Sequence, residues 1–186
     1  MSAKRLLSIS EVNEPERGYA LGAATLGIAF RALYQRWDAN LRDEETLLRL
    51  IFLQWYSRTE PGYLTGLDGI EQPPSIDELL DAFGGEQKLS ADSLFTIAML
   101  GYGEYAFGLG DENEWRSKSI QYFKRASELE PKSDLMVDWQ FFTGERKESS
   151  RLKTKMRVEA HARFFGRGYM GTYIRGRLNS SMGKKD

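Results

Sequence analysis

The sequence predicts a mainly α-helical protein of about six or seven helices. Apolar residues recur at spacings of three and four over most of the chain, which is the period of an α-helix. Serine, aspartate or asparagine precedes several of these runs, and glycine or proline follows them, as is usual at helix ends. Hydrophobic residues make up 41% of the chain, which is enough for a sizeable core.

Two long helices are predicted in the N-terminal part of the chain. Asn13 and Pro15 suit the cap and first turn of a helix that continues to about Asp38. Its apolar stripe consists of Tyr19, Ala23, Leu26, Phe30, Leu33, Tyr34, Trp37 and Leu41. Asp43 suits the cap of the next helix, which carries apolar residues on all sides and is therefore expected to be buried. A buried strand is the alternative there, but the length and the leucine content favour the helix.

A long irregular connection is predicted from Thr59 to Pro74. Connections of this length are uncommon unless they are functional or disordered, and a structural connector is the plainer interpretation. Ser75 and Glu78 then form the sequence of a capping box at the start of a short helix, which Gly84 and Gly85 end.

A pair of helices folded back on each other is predicted over Ser90–Pro131. The serine at its start suits an N-cap, and Gly108 and Gly110 suit the turn between the two helices. The second helix begins after Asp111 or Asn113 and ends before the proline, which cannot donate the next hydrogen bond.

Residues in this helical pair follow a recognisable order. They are Leu100-Gly101, Tyr105, Gly108-x-Gly110, Lys118-Ser119, Tyr122-Phe123 and Ala126-Ser127. The order resembles one Sel-one-like repeat, a relative of the tetratricopeptide repeat, over about residues 97–131. Tyr105 sits one residue late for that pattern, and Ser119 replaces the usual alanine. Arrays of such repeats need about three copies, and the sequence contains no second clean copy. An ordinary helical pair of similar composition is therefore the alternative.

The resemblance implies a repeat-like array of helical hairpins, whose grooves take peptides or neighbouring domains. Small residues at Gly101, Ser119 and Ala126 are expected to let the two helices approach closely. Tyr105 and Phe123 are expected to fill the groove between them.

The segment from Arg151 to Phe164 has two interpretations. Alternating polar and apolar residues favour a strand, which would form a C-terminal β-hairpin with a second strand after a glycine turn. The lysine, methionine, arginine, glutamate and alanine residues favour a helix. We prefer the helix, because a lone hairpin is only marginally stable.

Upstream, Ser133 suits the cap of a short helix that ends at Gly144.

Charge divides the chain near residue 144. Residues 1–144 contain 14 Lys and Arg against 23 Asp and Glu, a net −9, whereas residues 145–186 contain 12 against 4, a net +8. We therefore predict an acidic helical domain at residues 1–144. Residues 145–186 are predicted to be a basic C-terminal extension, packed on that domain or on a partner.

The basic extension interleaves arginine with tyrosine. Arginine pairs with phosphates and carboxylates, and aromatic rings stack on bases. The candidates for binding a polyanion or an acidic surface are Arg157, Arg163, Arg167, Tyr169, Tyr173, Arg175 and Arg177.

Catalytic motifs are missing from the sequence. There is no cysteine, and His161 is the single histidine, which excludes thiolate sites and most zinc sites. Gly101-x-Gly103-x-x-Ala106 has the spacing of a dinucleotide-binding turn, but the strands that such a turn needs are not predicted around it. We therefore predict no enzyme, no cofactor and no metal. An enzyme without a recognisable motif is the alternative, and a polar pocket lined by His161 and several carboxylates would support it.

The expected function is protein binding, as an adaptor or assembly protein. Tyr102, Tyr105 and Trp115, expected to be exposed beside the hairpin, are the candidates for contacting another protein or a second copy of this chain. Nucleic-acid binding through the C-terminal segment is the alternative. The longest apolar stretch, Gly18–Phe30, has 13 residues, whereas a transmembrane helix needs about 20. A soluble, cytoplasmic protein without a membrane partner is therefore expected.

Overall fold

The structure is a computed structural model that describes residues 5–70, 74–144 and 150–183. Within these ranges the chain forms ten α-helices, two of them single turns of four residues, and no β-strand. The predicted mainly α-helical class is therefore confirmed, with more helices than the six or seven expected. The chain divides into two compact units, residues 1–88 and residues 89–186. The boundary predicted from charge falls at residues 144 and 145, next to residues outside the described ranges, and stays a prediction.

The N-terminal unit, residues 1–88, contains the first five helices. They are α1 (Ile9–Ala20), α2 (Leu26–Asp38), α3 (Glu44–Thr59), α4 (Gly62–Thr65) and α5 (Ile76–Phe83). A capping box of Ser75 and Glu78 opens α5, and the Asp43 carboxylate caps α3 by accepting a hydrogen bond from the Thr46 N–H. Both caps are as predicted.

Two helices, α1 and α2, occupy the stretch for which the sequence predicts one. The first begins earlier than predicted, because Ser8 and Glu11 form a capping box there. It ends at Ala20, and Gly22 follows with a φ of +95°, in the left-handed region that favours glycine. The prediction of a continuous helix to Asp38 is therefore wrong.

Helix α3 forms much of the core of the N-terminal unit. All residues from Thr46 to Tyr56 are buried, which confirms the expected burial on all sides. Helices α2 and α5 pack against it, and α2 contributes Phe30, Leu33 and Trp37 to the core.

A charged cluster lies inside this core. Arg49 on α3 is only 1% exposed. Its guanidinium donates to Glu45 at 2.8 Å and to Asn13 at 2.7 Å, and it lies 3.4 Å from Glu16, which is itself 2% exposed. The buried guanidinium thus ties α3 to α1.

The chain that follows α4 lies directly against the start of α2. A Cβ atom at Gly27 would lie 2.0 Å from the backbone oxygen of Gly66, and one at Gly66 would lie 2.2 Å from the backbone oxygen of Ala24. Gly66 also has a φ of +75°. Because neither glycine carries a side chain, Gly66 and the Ile70 side chain can lie directly against the start of α2.

The C-terminal unit, residues 89–186, contains the remaining five helices. They are α6 (Ala91–Tyr102), α7 (Glu112–Leu129), α8 (Asp134–Val137), α9 (Ser150–Phe164) and α10 (Gly168–Gly183). Ser90, Asp111 and Ser133 cap α6, α7 and α8 with their side chains, as the sequence indicates. The short helix predicted after Ser133 is a single turn, followed by a 3₁₀ turn at Trp139–Phe141.

Helices α6 and α7 form the predicted helical pair. A Cβ atom at Gly101 would lie 2.4 Å from the Ser119 Oγ, so the helices meet at these small residues. Phe123 and Ala126 are fully buried. Tyr105 is 38% exposed and does not fill the groove as expected, because the chain has already left α6 at Gly103.

The C-terminal basic segment is helical, so the alternative of a β-hairpin is wrong. The buried residues of α9 are four apart, at Met156, Ala160 and Phe164. Those of α10 follow the same spacing, at Met170, Ile174, Leu178 and Met182. This helical period and the helix-forming residue types outweigh the local alternation of polarity. Gly166 and Gly168, with φ of +77° and +58°, make the turn between the two helices.

None of the helices in the described ranges combines the length and the hydropathy needed to cross a membrane.

Candidate functional site

The aromatic residues predicted to contact a partner differ in exposure. Tyr105 is 38% exposed and lies beside Phe107, which is 48% exposed, with their ring centroids 6.1 Å apart. Tyr102 is half-buried, and its ring lies 6.4 Å from that of Phe123. Trp115 is only 5% exposed, so it offers little surface to a partner.

The Trp115 indole lies close to two glycines that precede its helix, and most closely to Gly110. A Cβ atom would lie 2.9 Å from the indole Nε1 at Gly110 and 3.4 Å from its Cε3 at Gly101. The sequence places Trp115 on the second helix but does not reveal that both glycines face it.

Arg163 is the most heavily paired of the predicted basic residues. Its guanidinium donates to Asp92 at 2.8 Å and also to Glu130 and Glu159. Burial opposes the charge of Arg163, but the three carboxylates outweigh burial and raise the pKa of the guanidinium above its ordinary value. We call Asp92, Glu130, Glu159 and Arg163 the Arg163 cluster; it fixes α9 to the helical pair.

Two further predicted arginines also lie against the C-terminal unit. The Arg167 guanidinium is 3.5 Å from the Asp92 carboxylate and lies over the ring of Phe164. The Arg177 Nη2 lies 2.9 Å from the position of a Cβ atom at Gly103. Tyr169 and Tyr173 are half-buried.

The remaining predicted residues are Arg157, which is exposed, and Arg175, which is half-buried, and both lie on the surface that includes Phe165. This phenylalanine is 66% exposed. Its ring stacks on that of His161, with centroids 5.2 Å apart and planes at 20°, and the Arg175 guanidinium lies over it at 5.6 Å. Arg157 is exposed, and Val158 is 68% exposed.

We call Arg157, Val158, His161, Phe165 and Arg175 the basic aromatic patch. Arg157, His161 and Phe165 are four residues apart, so they lie on one face of α9 and its C-terminal end. The Phe165 N–H donates to the His161 backbone oxygen, and the Arg175 Nε donates to the backbone oxygen of Gly171. The patch is therefore held by both helices.

The sequence prediction includes Arg157 and Arg175 but not Val158, His161 or Phe165 as binding residues. Their spacing of three and four residues along α9 could have grouped them if the helix had been assumed throughout. The contact with Arg175 comes from another helix and leaves no local signal.

Glu159 joins the Arg163 cluster to the start of α8. Its carboxylate accepts hydrogen bonds from the Ser133 hydroxyl, from the Leu135 N–H at 3.0 Å and from the Arg163 Nε at 2.9 Å. Burial opposes ionisation of Glu159, but these donors outweigh burial and hold the pKa of its carboxyl below the ordinary value.

Glu159→Gln is expected to lower the free energy of unfolding by about 1–2 kcal/mol at neutral pH, because charge-assisted hydrogen bonds are lost. The folded-state pKa lies below the unfolded value of about 4.3. The stabilisation is therefore fully present above that pH and is lost as the pH falls through the folded value. The difference between wild type and variant should thus shrink on acidification, as measured by urea unfolding at a series of pH values.

Glu128→Gln is the matched control, since Glu128 is an exposed carboxylate on α7. It should change the unfolding free energy by less than about 0.5 kcal/mol. A difference between wild type and Glu159→Gln that stays constant on acidification would contradict the role of the ionised carboxylate.

No protein-family model, curated protein or solved structure matches the chain. The resemblance of residues 97–131 to a Sel-one-like repeat therefore stays a prediction. The kind of binding site that this protein has must therefore be inferred from the geometry of the basic aromatic patch.

Proposed function

We propose that this protein is a non-enzymatic adaptor or assembly protein that binds another protein through the basic aromatic patch. The observation that supports this proposal is the position of Phe165. Its ring is 66% exposed, yet it is fixed between His161 and Arg175. Large exposed apolar side chains grouped with polar neighbours are a common mark of interaction surfaces.

The composition of the patch suits the centre of a protein interface. Aromatic residues and arginine are enriched among the residues that dominate binding energy. Phe165 loses little conformational freedom on binding, because its ring is already stacked on His161. Arg157 and Arg175 surround this apolar centre with positive charge. The partner surface should therefore offer an apolar pocket bordered by carboxylates.

A protein partner is favoured over nucleic acid by the pairing of the other arginines. Arg163 and Arg167 are directed to carboxylates of their own unit, which reduces the positive charge presented to phosphates. Nucleic-acid binding depends on many such phosphate contacts and weakens steeply with salt. Binding through an apolar centre such as Phe165 should be less sensitive to salt.

Phe165→Ala is expected to weaken partner binding by about tenfold or more, because the apolar centre of the interface is removed. The partner is first captured from native extract with the full chain, in the presence of nuclease, and its dissociation constant is then measured by titration with purified protein. Phe107→Ala removes another exposed phenylalanine, 48% exposed, from the same unit and should leave affinity unchanged.

Two outcomes would overturn this assignment. Equal affinity of wild type and Phe165→Ala, with a loss in Phe107→Ala, would move the contact surface to the turn between α6 and α7. Loss of all captured material on nuclease treatment, with steep salt dependence, would show that nucleic acid is the partner.

A further inference from the structure

The turn between α6 and α7 carries a second exposed aromatic surface. Tyr105 is 38% exposed and Phe107 is 48% exposed, and their rings meet edge to face, with planes at 66°. Neither residue belongs to the basic aromatic patch. The sequence indicates Tyr105 as a candidate for protein contact, and the binding proposed for Phe165 does not use it.

A firmly anchored turn presents these two rings. Its neighbouring side chains point inward, since Ala106 is fully buried and Leu109 is 5% exposed. The Gly108 N–H donates to the Tyr105 backbone oxygen at 3.0 Å, and the Leu109 N–H donates to the Ala106 backbone oxygen at 2.9 Å. Because the backbone is already fixed, little conformational freedom is lost when a partner binds to the rings.

Carboxylates flank the two rings in the sequence. One directly precedes Tyr105, and three more open α7 just after the turn. All four of these acidic residues are exposed: Glu104, Asp111, Glu112 and Glu114. Residues 103–115 contain no lysine, arginine or histidine, so their local net charge is −4.

Cations of α7 and α10 lie close to this turn. Arg116 pairs with Glu112 at 2.7 Å, and the Lys118 ammonium lies over the indole of Trp115, 4.7 Å from its centroid. Arg177 is half-buried beside the end of α6. The four carboxylates outnumber these three cations, so the surface keeps a negative charge.

We propose that Glu104, Tyr105, Phe107 and Glu114, which we call the acidic aromatic surface, dock an arginine-bearing segment of another protein. A guanidinium stacks on aromatic faces and pairs with carboxylates. The edge-to-face arrangement leaves ring faces that the other ring does not cover. Within the described part of the chain, Glu104 and Glu114 form no ion pair, so both can pair with such a partner.

The charge and the layout of this surface favour a basic protein segment over other ligands. In the described ranges, no group of three or more acidic or histidine residues is placed to hold a metal ion. The phosphates of a nucleic acid would meet like charge here. A segment that carries arginine matches both the rings and the carboxylates.

The test uses the full chain and two synthetic peptides with blocked ends, Gly-Arg-Leu-Arg-Leu-Arg-Gly and Gly-Gln-Leu-Gln-Leu-Gln-Gly. Binding is followed by protein-observed NMR titration in about 0.15 M salt, where distant charges are screened. The arginine peptide should bind with a dissociation constant on the order of 0.5 mM, as suits a few exposed contacts. The glutamine peptide should bind at least about tenfold more weakly, because it carries no positive charge.

Two variants separate the contribution of the rings from that of the charges. Phe107→Ala should weaken binding of the arginine peptide by about threefold to fivefold, because a stacking face is lost. The double variant Glu104→Gln, Glu114→Gln should weaken it by about fivefold. Phe165→Ala and Glu128→Gln are the controls and should bind as wild type does. All these side chains are exposed, and an unchanged urea midpoint confirms that each variant is folded.

Each outcome decides the proposal. Equal binding of the two peptides, or an equal loss in Glu128→Gln and in the double variant, would show only diffuse attraction and overturn it. Unchanged binding in Phe107→Ala would do the same. Self-association that Phe107→Ala abolishes, seen by sedimentation, would assign the surface to a second copy instead. Losses in Phe107→Ala and in the double variant, with Phe165→Ala unaffected, would establish a docking surface distinct from the basic aromatic patch.

Discussion

Arg49→Met is expected to destabilise the N-terminal unit by about 3–5 kcal/mol. The guanidinium is 1% exposed and lies against Glu16, which is 2% exposed. Its removal deprives the buried Glu16 carboxylate of a neighbouring cation. The hydrogen bonds that the guanidinium donates to Asn13 and Glu45 are lost as well. The methionine side chain fills most of the space but replaces none of these contacts.

The measurement is urea unfolding followed by circular dichroism, with hydrogen exchange by mass spectrometry to locate the loss. Faster exchange should concentrate in α1 and α3, which Arg49 connects. Arg58→Met removes an exposed arginine from the same helix and should change the unfolding free energy by less than about 0.5 kcal/mol.

A double variant separates charge burial from packing. Replacing Glu16 with leucine in the Arg49→Met background should recover part of the lost stability, because the buried carboxylate that lies 3.4 Å from the Arg49 guanidinium is then absent as well. Additive losses in the double variant would contradict a direct coupling between Arg49 and Glu16.

Gly101→Val is expected to destabilise the C-terminal unit by about 3 kcal/mol, through overpacking between α6 and α7. A Cβ atom at this position would already lie 2.4 Å from the Ser119 Oγ and 3.2 Å from the Leu109 Cδ1. The additional methyl groups of valine force the two helices apart. Urea unfolding and exchange in α6 and α7 report the loss.

Ser119 offers a sharper form of this test. Its buried Oγ has no hydrogen-bond partner, so Ser119→Ala should be neutral or stabilising. Gly101→Ala alone should destabilise, but in the Ser119→Ala background the nearest of the clashing atoms is gone, and the Leu109 Cδ1 at 3.2 Å is the end of a flexible side chain that can shift. In that background Gly101→Ala should raise the free energy of unfolding by about 1 kcal/mol, because alanine is the better helix former.

Destabilisation by Gly101→Ala that is the same in both backgrounds would contradict the close contact with Ser119. That contact is also the physical basis of the predicted helical pair, so the cycle tests the packing that the sequence suggested.

Several helix starts after α2 were predictable, because a cap depends on neighbours three residues away. Ser75, Ser90, Asp111 and Ser133 each cap a helix with their own side chain. The break at Gly22 was missed because apolar residues continue with helical spacing on both sides of it. Gly22, with a φ of +95°, lies where the chain leaves the helix.

The candidate sites were less predictable, because their contacts join distant parts of the chain. Arg163 and Asp92 are 71 residues apart in sequence, so nothing local distinguishes a paired arginine from an available one. The Trp115 indole lies against Gly110, where a Cβ atom would come within 2.9 Å of its Nε1, and no sequence pattern indicates this contact.

The burial of Phe164 has a consequence for how the basic segment can be studied. This side chain is fully buried, and its ring lies 6.3 Å from that of Phe95 on α6. Truncating the chain after Gly144 would therefore remove part of the hydrophobic core of the C-terminal unit together with the basic residues. Loss of partner binding after such a truncation would reflect unfolding of the C-terminal unit. Single substitutions at Phe165 or Arg175 leave the buried Phe164 in the core.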